Sequence, residues 1–176
     1  MKTADTALDM KYNLELRPLM TDENEDFVTR NQDTFIRVVE EEFGHQEEEP
    51  ISKDDIRSCL NHPLEKAFNV LLDGDVIGGV AVRIDKKTNI NCLDLIFVDW
   101  DKQGNGIGFA VWKLIEEKFP ETQIWEPHTP YFDLRNIHFY INKCGFAIVE
   151  FLNEYHQGNE EDGPGGVPFF RFEKRM

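Results

Sequence analysis

Gly104, Gly106 and Gly108 lie close together, between an apolar strand-like run and the start of a helical pattern. Glycine lets the backbone come close to a ligand, and the first amides of a helix have no partner within the helix. Together with the positive end of the helix dipole, these N–H groups favour an anion. The ligand implied is a phosphate or pyrophosphate. The alternative is a glycine-rich turn that only starts a helix.

Two well-known phosphate-binding loops can be compared with this segment. The dinucleotide-binding loop has the register GxGxxG and follows a first strand, whereas these glycines have another register and follow a late strand. The chain also contains no GxxxxGK[ST] sequence, which disfavours a nucleoside triphosphatase. Neither of these loops accounts for the segment.

Residues that could handle a proton lie on both sides of the glycines. Asp94 belongs to the preceding strand, and Glu126 and His128 follow a short later strand. Because the unperturbed pKa of histidine is about 6.5, we choose His128 as the candidate base; the alternative is an ordinary surface-loop histidine. The histidines show no HExxH or CxxH spacing and the three cysteines form no CxxC pair, so we expect no metal.

The elements that must position these residues follow from periodicity. Apolar runs predict strands over residues 12–19, 67–72, 76–84, 91–98, 123–126, 146–151 and 167–173. Helical spacing predicts helices over 22–43, 106–119 and 136–143, and a short one that Ser52 caps and Pro63 ends. Asp73-Gly74 is a hairpin turn sequence. This order of elements predicts an α/β protein with a mixed sheet.

Length and charge limit the classes of function. The chain has 176 residues, 40% of them hydrophobic, which suits one domain over residues 1–176 with a frayed start at 1–11. A formal net charge of −15 disfavours nucleic acid and anionic membranes and would attract cationic amines, although solubility alone also explains it. Because the N-terminal segment has no apolar core, we expect no signal peptide or membrane span and a cytoplasmic protein.

Two motifs resemble those of the GNAT N-acetyltransferases, which use acetyl-CoA. Gln103-Gly-Asn-Gly-Ile-Gly108 matches the family's Q/R-x-x-G-x-G/A, which joins the fourth strand to the third helix. Residues 136–146 are similar to its second motif, a helix that carries a tyrosine and closes in Gly-Phe. The resemblance runs from about residue 14 onward. It implies a single-domain GNAT-like fold, with a mixed, mostly antiparallel sheet of about seven strands flanked by about four helices.

The resemblance also implies roles for the matched residues. The pantetheine arm of acetyl-CoA would pair with the backbone of a strand splayed from its neighbour, at Ile96, Phe97 and Val98. The pyrophosphate would bind the amides of Gln103, Gly104, Asn105, Gly106, Ile107, Gly108 and Phe109. The asparagine with which the family often contacts CoA falls near Asp133 or Leu134 here, so Asn136 would take over that contact, and Lys143 would also bind the cofactor. The Tyr140 hydroxyl would protonate the departing thiolate, since a phenol can donate a hydrogen bond to sulfur; a buried structural aromatic is the alternative.

One departure concerns the tyrosine itself. Between Tyr140 and Gly145 the chain has one residue more than the common family spacing, so counting back from Gly145 selects Ile141. We choose Tyr140 because isoleucine offers no acid–base chemistry.

The reaction implied is direct attack on acetyl-CoA by the primary amine of a small molecule or peptide. A non-catalytic acyl-CoA binder or sensor is the alternative. An acyl-cysteine route is disfavoured because neither Cys92 nor Cys144 has an evident activating base. Acceptor specificity is expected in the loops at 43–63, 128–133 and 155–167. The aromatic last strand, with Phe169, Phe170 and Phe172, is a candidate interface for a homodimer.

Overall fold

The computed structural model describes residues 13–47, 49, 51–158 and 168–176. Within them, eight strands form one sheet: β1 (Leu14–Pro18), β2 (Glu65–Leu72), β3 (Asp75–Arg83), β4 (Ile90–Val98), β5 (Ile124–Trp125), β6 (His128–Pro130), β7 (Ala147–Leu152) and β8 (Phe169–Arg175). The four helices of this part are α1 (Asn24–Phe43), α2 (Lys53–Leu60), α3 (Ile107–Lys118) and α4 (Leu134–His138), which continues as a π-helix over Phe139–Cys144.

The predicted α/β class and order of elements are confirmed. The sheet has eight strands rather than about seven, because β6 spans three residues and is too short to show alternation. The expected frayed start at 1–11 and most of the loop at 155–167 lie outside the described residues.

Local sequence signals account for a helix cap, a hairpin turn and a close helix–sheet contact in this fold. Ser52 caps α2: its hydroxyl accepts from the Asp55 amide at 3.1 Å, and the Asp55 carboxylate reaches back to the Ser52 amide at 3.3 Å. The β2–β3 hairpin turns at Asp73 and Gly74, both with positive φ, as predicted. Long α1 lies on the sheet at Gly79, where an added Cβ would come within 2.2 Å of the Phe27 ring.

The sheet opens in its middle. The strand order is β1-β2-β3-β4-β5-β8-β6, with β7 paired to β8. Strands β4 and β5 run parallel and pair only at Ile90 with Ile124 and Asn91 with Trp125. Beyond Asn91 the described residues show no further β4–β5 ladder, so the rest of β4 diverges from its neighbour. The predicted splay of this strand is therefore present.

Two apolar clusters hold the sheet between its helices. The larger one packs α3 against the sheet around Trp112 and Trp125, whose rings meet edge to face at 5.3 Å. The smaller one joins Phe27 of α1 to Ala81 and Phe97. The apolar faces of the helices thus fix both sides of β3 and β4.

Strand β8 does not present the aromatic surface that the sequence predicted. Phe172 is completely buried, and the Phe170 ring packs on Phe151 at 4.9 Å. The strand has β7 on one side and β5 and β6 on the other, so its edges are occupied by pairing within the chain. Phe172 is therefore not available to the expected interface, and Phe169 lines the central cleft instead. The homodimer itself stays a prediction.

Candidate active site

A cleft of about 1540 Å³ begins where β4 and β5 diverge. One end is lined by the glycine segment before α3, and the other by residues of α1, α2 and the β3–β4 face. Most residues predicted to bind the cofactor or act on it line this cleft: Ile96, Phe97, Val98, Gln103, Gly104, Gly106, Gly108, Phe109, His128, Asn136, Tyr140 and Lys143. The expected specificity loops at 43–63 and 128–133 also contribute to it.

The glycine end offers backbone donors to the cleft. Gly104 and Gly106 have φ of +89° and +81°, a conformation that other residues rarely adopt, and Gly106 is the N-cap of α3. The Ala110 amide makes the first helical bond back to the Gly106 carbonyl at 3.0 Å, so the three preceding amides have no partner within the helix. The amides of Ile107, Gly108 and Phe109 are therefore the groups at the helix end that could donate to an anion.

Three of the matched residues behave differently from their neighbours. The Gln103 side chain donates to the Val98 carbonyl at 2.6 Å, and its amide closes a turn on Trp100 at 3.4 Å. Gln103 therefore shapes the loop, because its own amide is already used. Asn105 and Ile107, although both are described, lie outside the cleft lining, and the Ile107 side chain is buried in the main core.

An ion pair ties this loop to α1. The Arg30 guanidinium forms a two-pronged contact with Asp99, with Nε at 3.2 Å from Oδ1 and Nη2 on Oδ2. Nη2 also donates to the Val76 carbonyl at 2.9 Å. Because Asp99 directly follows β4, this contact fixes the start of the glycine-rich loop against both α1 and β3.

The π-helix explains the additional residue before Gly145. A π-turn holds one residue more than an α-turn, and here the Gly145 amide bonds to the Tyr140 carbonyl five residues back. The insertion is therefore absorbed within the turn, with Gly145 closing it in the left-handed conformation. Tyr140 lines the cleft, whereas Ile141 is exposed and lies outside the lining.

Tyr140 is held rigidly and stays protonated. Only 4% of its surface is exposed, and its ring packs on Phe146 at 5.5 Å and Phe172 at 5.3 Å. Burial, with smaller contributions led by Asp133, raises the pKa of its phenol well above the ordinary value. The hydroxyl is thus a hydrogen-bond donor at neutral pH.

The start of α4 provides further groups at this end. Asp133 is buried and caps the helix by accepting from the Asn136 amide at 2.9 Å, and its other oxygen accepts from the Asn136 side chain at 2.7 Å. Burial raises the pKa of Asp133 despite these bonds. Arg135 and Lys143 line the same end of the cleft, where they would favour an anionic ligand.

His128, the base predicted from the sequence, and nearby Glu126 follow β5 in the chain. His128 starts β6, opposite Arg171, and lines the cleft. Glu126 accepts from Arg171 Nη1 at 3.0 Å, and this arginine also binds Glu150 and Glu173. Glu126 is thus part of an ion-pair network, whereas His128 and Asp94 line the cleft, as do the acidic side chains of Glu49, Asp55 and Asp133.

Asp94 lies at a β-bulge in β4 and lines the cleft. Ala81 pairs with Leu95 but Val82 pairs with Leu93, so Asp94 is the additional residue on β4. Leu93 packs in the main core under α3, whereas Leu95 packs in the cluster under α1. Alternation without the bulge would put both leucines on one face. The bulge therefore switches faces at Asp94.

Buried polar groups collect around Asp94. Oxygens of Glu65 and Asp94 and the Cys59 sulfur lie within 4.8 Å of one another, and Arg83 Nη2 lies 3.2 Å from Asp94 Oδ2. Sequence spacing gave no sign of this group, because its members come from α2, β2, β3 and β4. Cys59, Arg83 and Asp94 line the cleft, and Glu65 does not.

The three cysteines are poor nucleophiles in this fold. Burial raises the pKa of Cys144 to about 12. It also raises the pKa values of Cys59 and Cys92 well above the ordinary value, with Glu65 and Asp94 adding to the effect. Because the thiolate is the reactive form, the structure supports the sequence argument against an acyl-cysteine route.

Comparison with known proteins agrees with this geometry. The acetyltransferase (GNAT) family matches residues 18–146, and the chain belongs to this family. The uncharacterized protein YrkN of Bacillus subtilis (strain 168) is 44% identical over 161 residues, which cover 86% of this chain and 87% of that protein.

Solved structures with the same fold include acetyltransferases. An acetyltransferase from Thermus thermophilus superposes with a TM-score of 0.67 at 14% identity, over 93% of this chain and 97% of that one. The spermidine N-acetyltransferase of Vibrio cholerae, solved with CoA and spermine, gives 0.64 at 19% identity, over 92% and 95%. No helix in the described part of the chain is long and apolar enough to cross a membrane.

Proposed function

We propose that this protein transfers an acetyl group from acetyl-CoA to a primary amine by direct attack. The observation that carries the proposal is one cleft in which the part of β4 without a partner on its β5 side leads into the amide cluster at the start of α3. The first would bind the pantetheine arm and the second the pyrophosphate. A thioester held this way would point past Tyr140 towards the end of the cleft that Glu49, Asp55 and Asp94 line.

The described residues fit this cosubstrate. An added Cβ on Gly104 would meet nothing within 4 Å, so the loop leaves open space on its outer side. The α3 amides, Arg135 and Lys143 supply donors and positive charge for phosphate groups. Asn136 and the backbone of Ile96 to Val98 would complete the contacts.

Tyr140 would act as the general acid. When the amine attacks the thioester carbonyl, the C–S bond breaks and the sulfur gains negative charge. A buried, protonated phenol can donate its proton there, and the raised pKa of Tyr140 keeps that proton available at neutral pH. Backbone positioning supplies the rest of the rate enhancement.

A primary amine is the acceptor favoured by charge. The acceptor end carries the acidic lining residues Glu49, Asp55 and Asp94, with Arg83 as the nearby cation. The structurally similar Vibrio cholerae enzyme acts on spermidine, which is a cationic amine. Both points support an ammonium-bearing acceptor over an alcohol or an acid.

Ligand-induced stabilisation and thiol release test the proposal. At one hundred times its dissociation constant, acetyl-CoA should stabilise the fold by about 2.7 kcal/mol, a melting shift of roughly 5–10 °C for a chain of this size. Release of free CoA should then depend on an added amine from a panel of n-hexylamine, spermidine and a lysine peptide. A shift without amine-dependent release would support a non-catalytic acyl-CoA binder, and no shift would contradict both functions.

A further inference from the structure

We propose that Glu65 and Asp94 share one proton at the acceptor end of the cleft: Asp94 takes the proton that the acceptor's ammonium must lose, and Glu65 is its positioning residue. This inference rests on the acetyl transfer proposed above. It assigns the base to Asp94 rather than to His128, and it gives a role to Glu65, which no sequence motif indicated.

The geometry leaves too few donors for two carboxylates. Both Glu65 oxygens and Asp94 Oδ2 are buried and have no geometrically sound hydrogen bond to another described group. Arg83 Nη2 lies 3.2 Å from Asp94 Oδ2, but the angle there makes an ion pair rather than a hydrogen bond. One guanidinium cannot neutralise two buried carboxylates, so a proton held between them satisfies both.

The surrounding groups come from every element packed on the pair. They are Cys59 of α2, Arg83 of β3 and Cys92 of β4, with Tyr140 across the cleft. Burial, followed by Asp94, raises the pKa of Glu65 to about 9, while Arg83 opposes this shift. The thiols and the phenol stay protonated at neutral pH, which leaves Glu65 and Asp94 as the acidic groups of this cluster.

The pair suits an alkylammonium because the two proton affinities are similar. An isolated carboxylate, with a pKa of about 4, is a weak base for an amine whose pKa is about 10. Because burial and Asp94 raise the pKa of Glu65 to about 9, a proton held beside Glu65 is bound nearly as tightly as the proton of the amine. Asp94 lines the cleft and so contacts the ammonium, whereas Glu65 acts through Asp94.

The proposed reaction begins when the protonated amine binds next to the carboxylate pair. The pair releases its shared proton to solvent when RNH₃⁺ binds, and one N–H proton then moves to Asp94, which leaves RNH₂ with a free electron pair. That pair forms the N–C bond, the C–S bond breaks and the sulfur takes the bonding electrons. The thiolate receives a proton through Tyr140, which regains it from the nitrogen by way of water. The products are the amide, CoA thiol and one proton in solution.

The pH profile of Glu65→Gln tests the pair in the full-length protein. With n-hexylamine and acetyl-CoA, kcat/KM of the unmodified protein should rise about tenfold per pH unit up to about pH 9. In Glu65→Gln this rising limb, the increase of kcat/KM with pH, should disappear. At pH 9 kcat/KM should be roughly 10- to 100-fold lower than in the unmodified protein. Glu15→Gln, an equal change of charge on exposed β1, should keep the limb. An unchanged limb in Glu65→Gln would overturn the proposal while acetyl transfer itself remained measurable.

Melting temperature against pH gives a second readout that needs no acceptor. Because the folded pKa of Glu65 is raised above its unfolded value, the stability from its protonated form is complete below about pH 4.3 and is lost as pH rises to about 9. The advantage of Glu65→Gln over the unmodified protein should therefore widen across this range. Parallel curves would overturn the shared proton.

Asp94→Asn and a zinc titration complete the design. With one acid removed, the Glu65 pKa should drop towards the value that burial alone gives, the stabilising effect of Glu65→Gln should become smaller, and turnover should fall further than in Glu65→Gln alone. A melting rise with ZnCl₂ that Glu65→Gln abolishes would show a metal site made with Cys59 and would overturn the proton pair. Loss of the acetyl-CoA melting shift in the unmodified protein would instead count against the proposed function alone.

Discussion

The two ends of the cleft present different kinds of chemical group to a ligand. At the phosphate end, donors come from consecutive backbone amides at the start of α3, and their positions follow from the helix itself. At the acceptor end, side chains from α2, β2, β3 and β4 meet at a bulge. A continuous segment can be recognised in a sequence, whereas an assembly of distant residues depends on strand register.

The two ends of the cleft also differ in the charge of the side chains that line them. Arg135 and Lys143 line the phosphate end, while Glu49, Asp55 and Asp94 line the acceptor end. An anionic cosubstrate and a cationic acceptor would thus enter opposite ends of one cleft, and Tyr140 lies on its lining with them. Variants can be chosen that affect the chemistry, one end or the connection between the ends.

The largest effect is expected for Tyr140→Phe. The change removes one hydroxyl and keeps the ring contacts with Phe146 and Phe172, so both ends should bind normally. If the hydroxyl protonates the thiolate, kcat should fall about 10²- to 10⁴-fold, with little change in the KM for acetyl-CoA. Tyr155→Phe, at a residue that is 90% exposed, is the control. An unchanged kcat would move the acid to another residue or to water.

Gly108→Val should weaken the phosphate end alone. Gly108 lines the cleft, has no positive φ, and an added Cβ would lie 3.5 Å from the Phe139 ring, so the fold tolerates it better than a change at Gly106. The branched side chain would fill the space next to the α3 amides. CoA affinity should fall at least about tenfold, or about 1.4 kcal/mol, by isothermal titration.

Ala110→Val serves as the control for Gly108→Val because it adds the same branched group to α3 outside the cleft lining. It should cost some helix propensity and leave CoA affinity unchanged. Equal affinities for the two variants would mean that phosphate binds elsewhere.

Arg30→Leu should disturb the connection between the ends. It breaks the two-pronged contact with Asp99 and the bond to the Val76 carbonyl, and leaves Asp99 without this partner in a half-buried place. We expect a loss of roughly 2 kcal/mol in the free energy of unfolding and a KM for acetyl-CoA raised several-fold. Arg57→Leu removes a similar but exposed two-pronged pair with Glu25 and should change little. Equal denaturant midpoints for Arg30→Leu and Arg57→Leu would contradict the expected difference between the two variants.

The smallest effect is expected from thiol alkylation. With the pKa of Cys144 raised to about 12 and those of the other two thiols also well above the ordinary value, iodoacetamide at neutral pH should leave activity intact over an hour. Intact mass after mixing with acetyl-CoA should show no acetyl adduct. Rapid inactivation that acetyl-CoA prevents would reopen the acyl-cysteine route.

Much of the fold could be predicted because its signals are local. Asp73-Gly74, the Ser52 capping box and the helical spacing of α1 and α3 each depend on residues within one element, and each is confirmed. Strand β6 was missed because three residues carry no period. The buried place of Phe172 was missed because pairing on both sides of β8 is a property of the whole sheet.

The sequence by itself determined the family, the order of elements and the position of the glycine-rich loop, since each of these is encoded in consecutive residues. It left Tyr140 and Ile141 as alternatives, and only the π-turn, which holds one more residue per turn, decided which side chain lines the cleft. The acid pair likewise depends on the fold. Glu65 and Asp94 are 29 positions apart, and the pairing of β2, β3 and β4, with a one-residue bulge in β4, brings them together. Such a shift of register follows from packing between strands and helices, which no local pattern records.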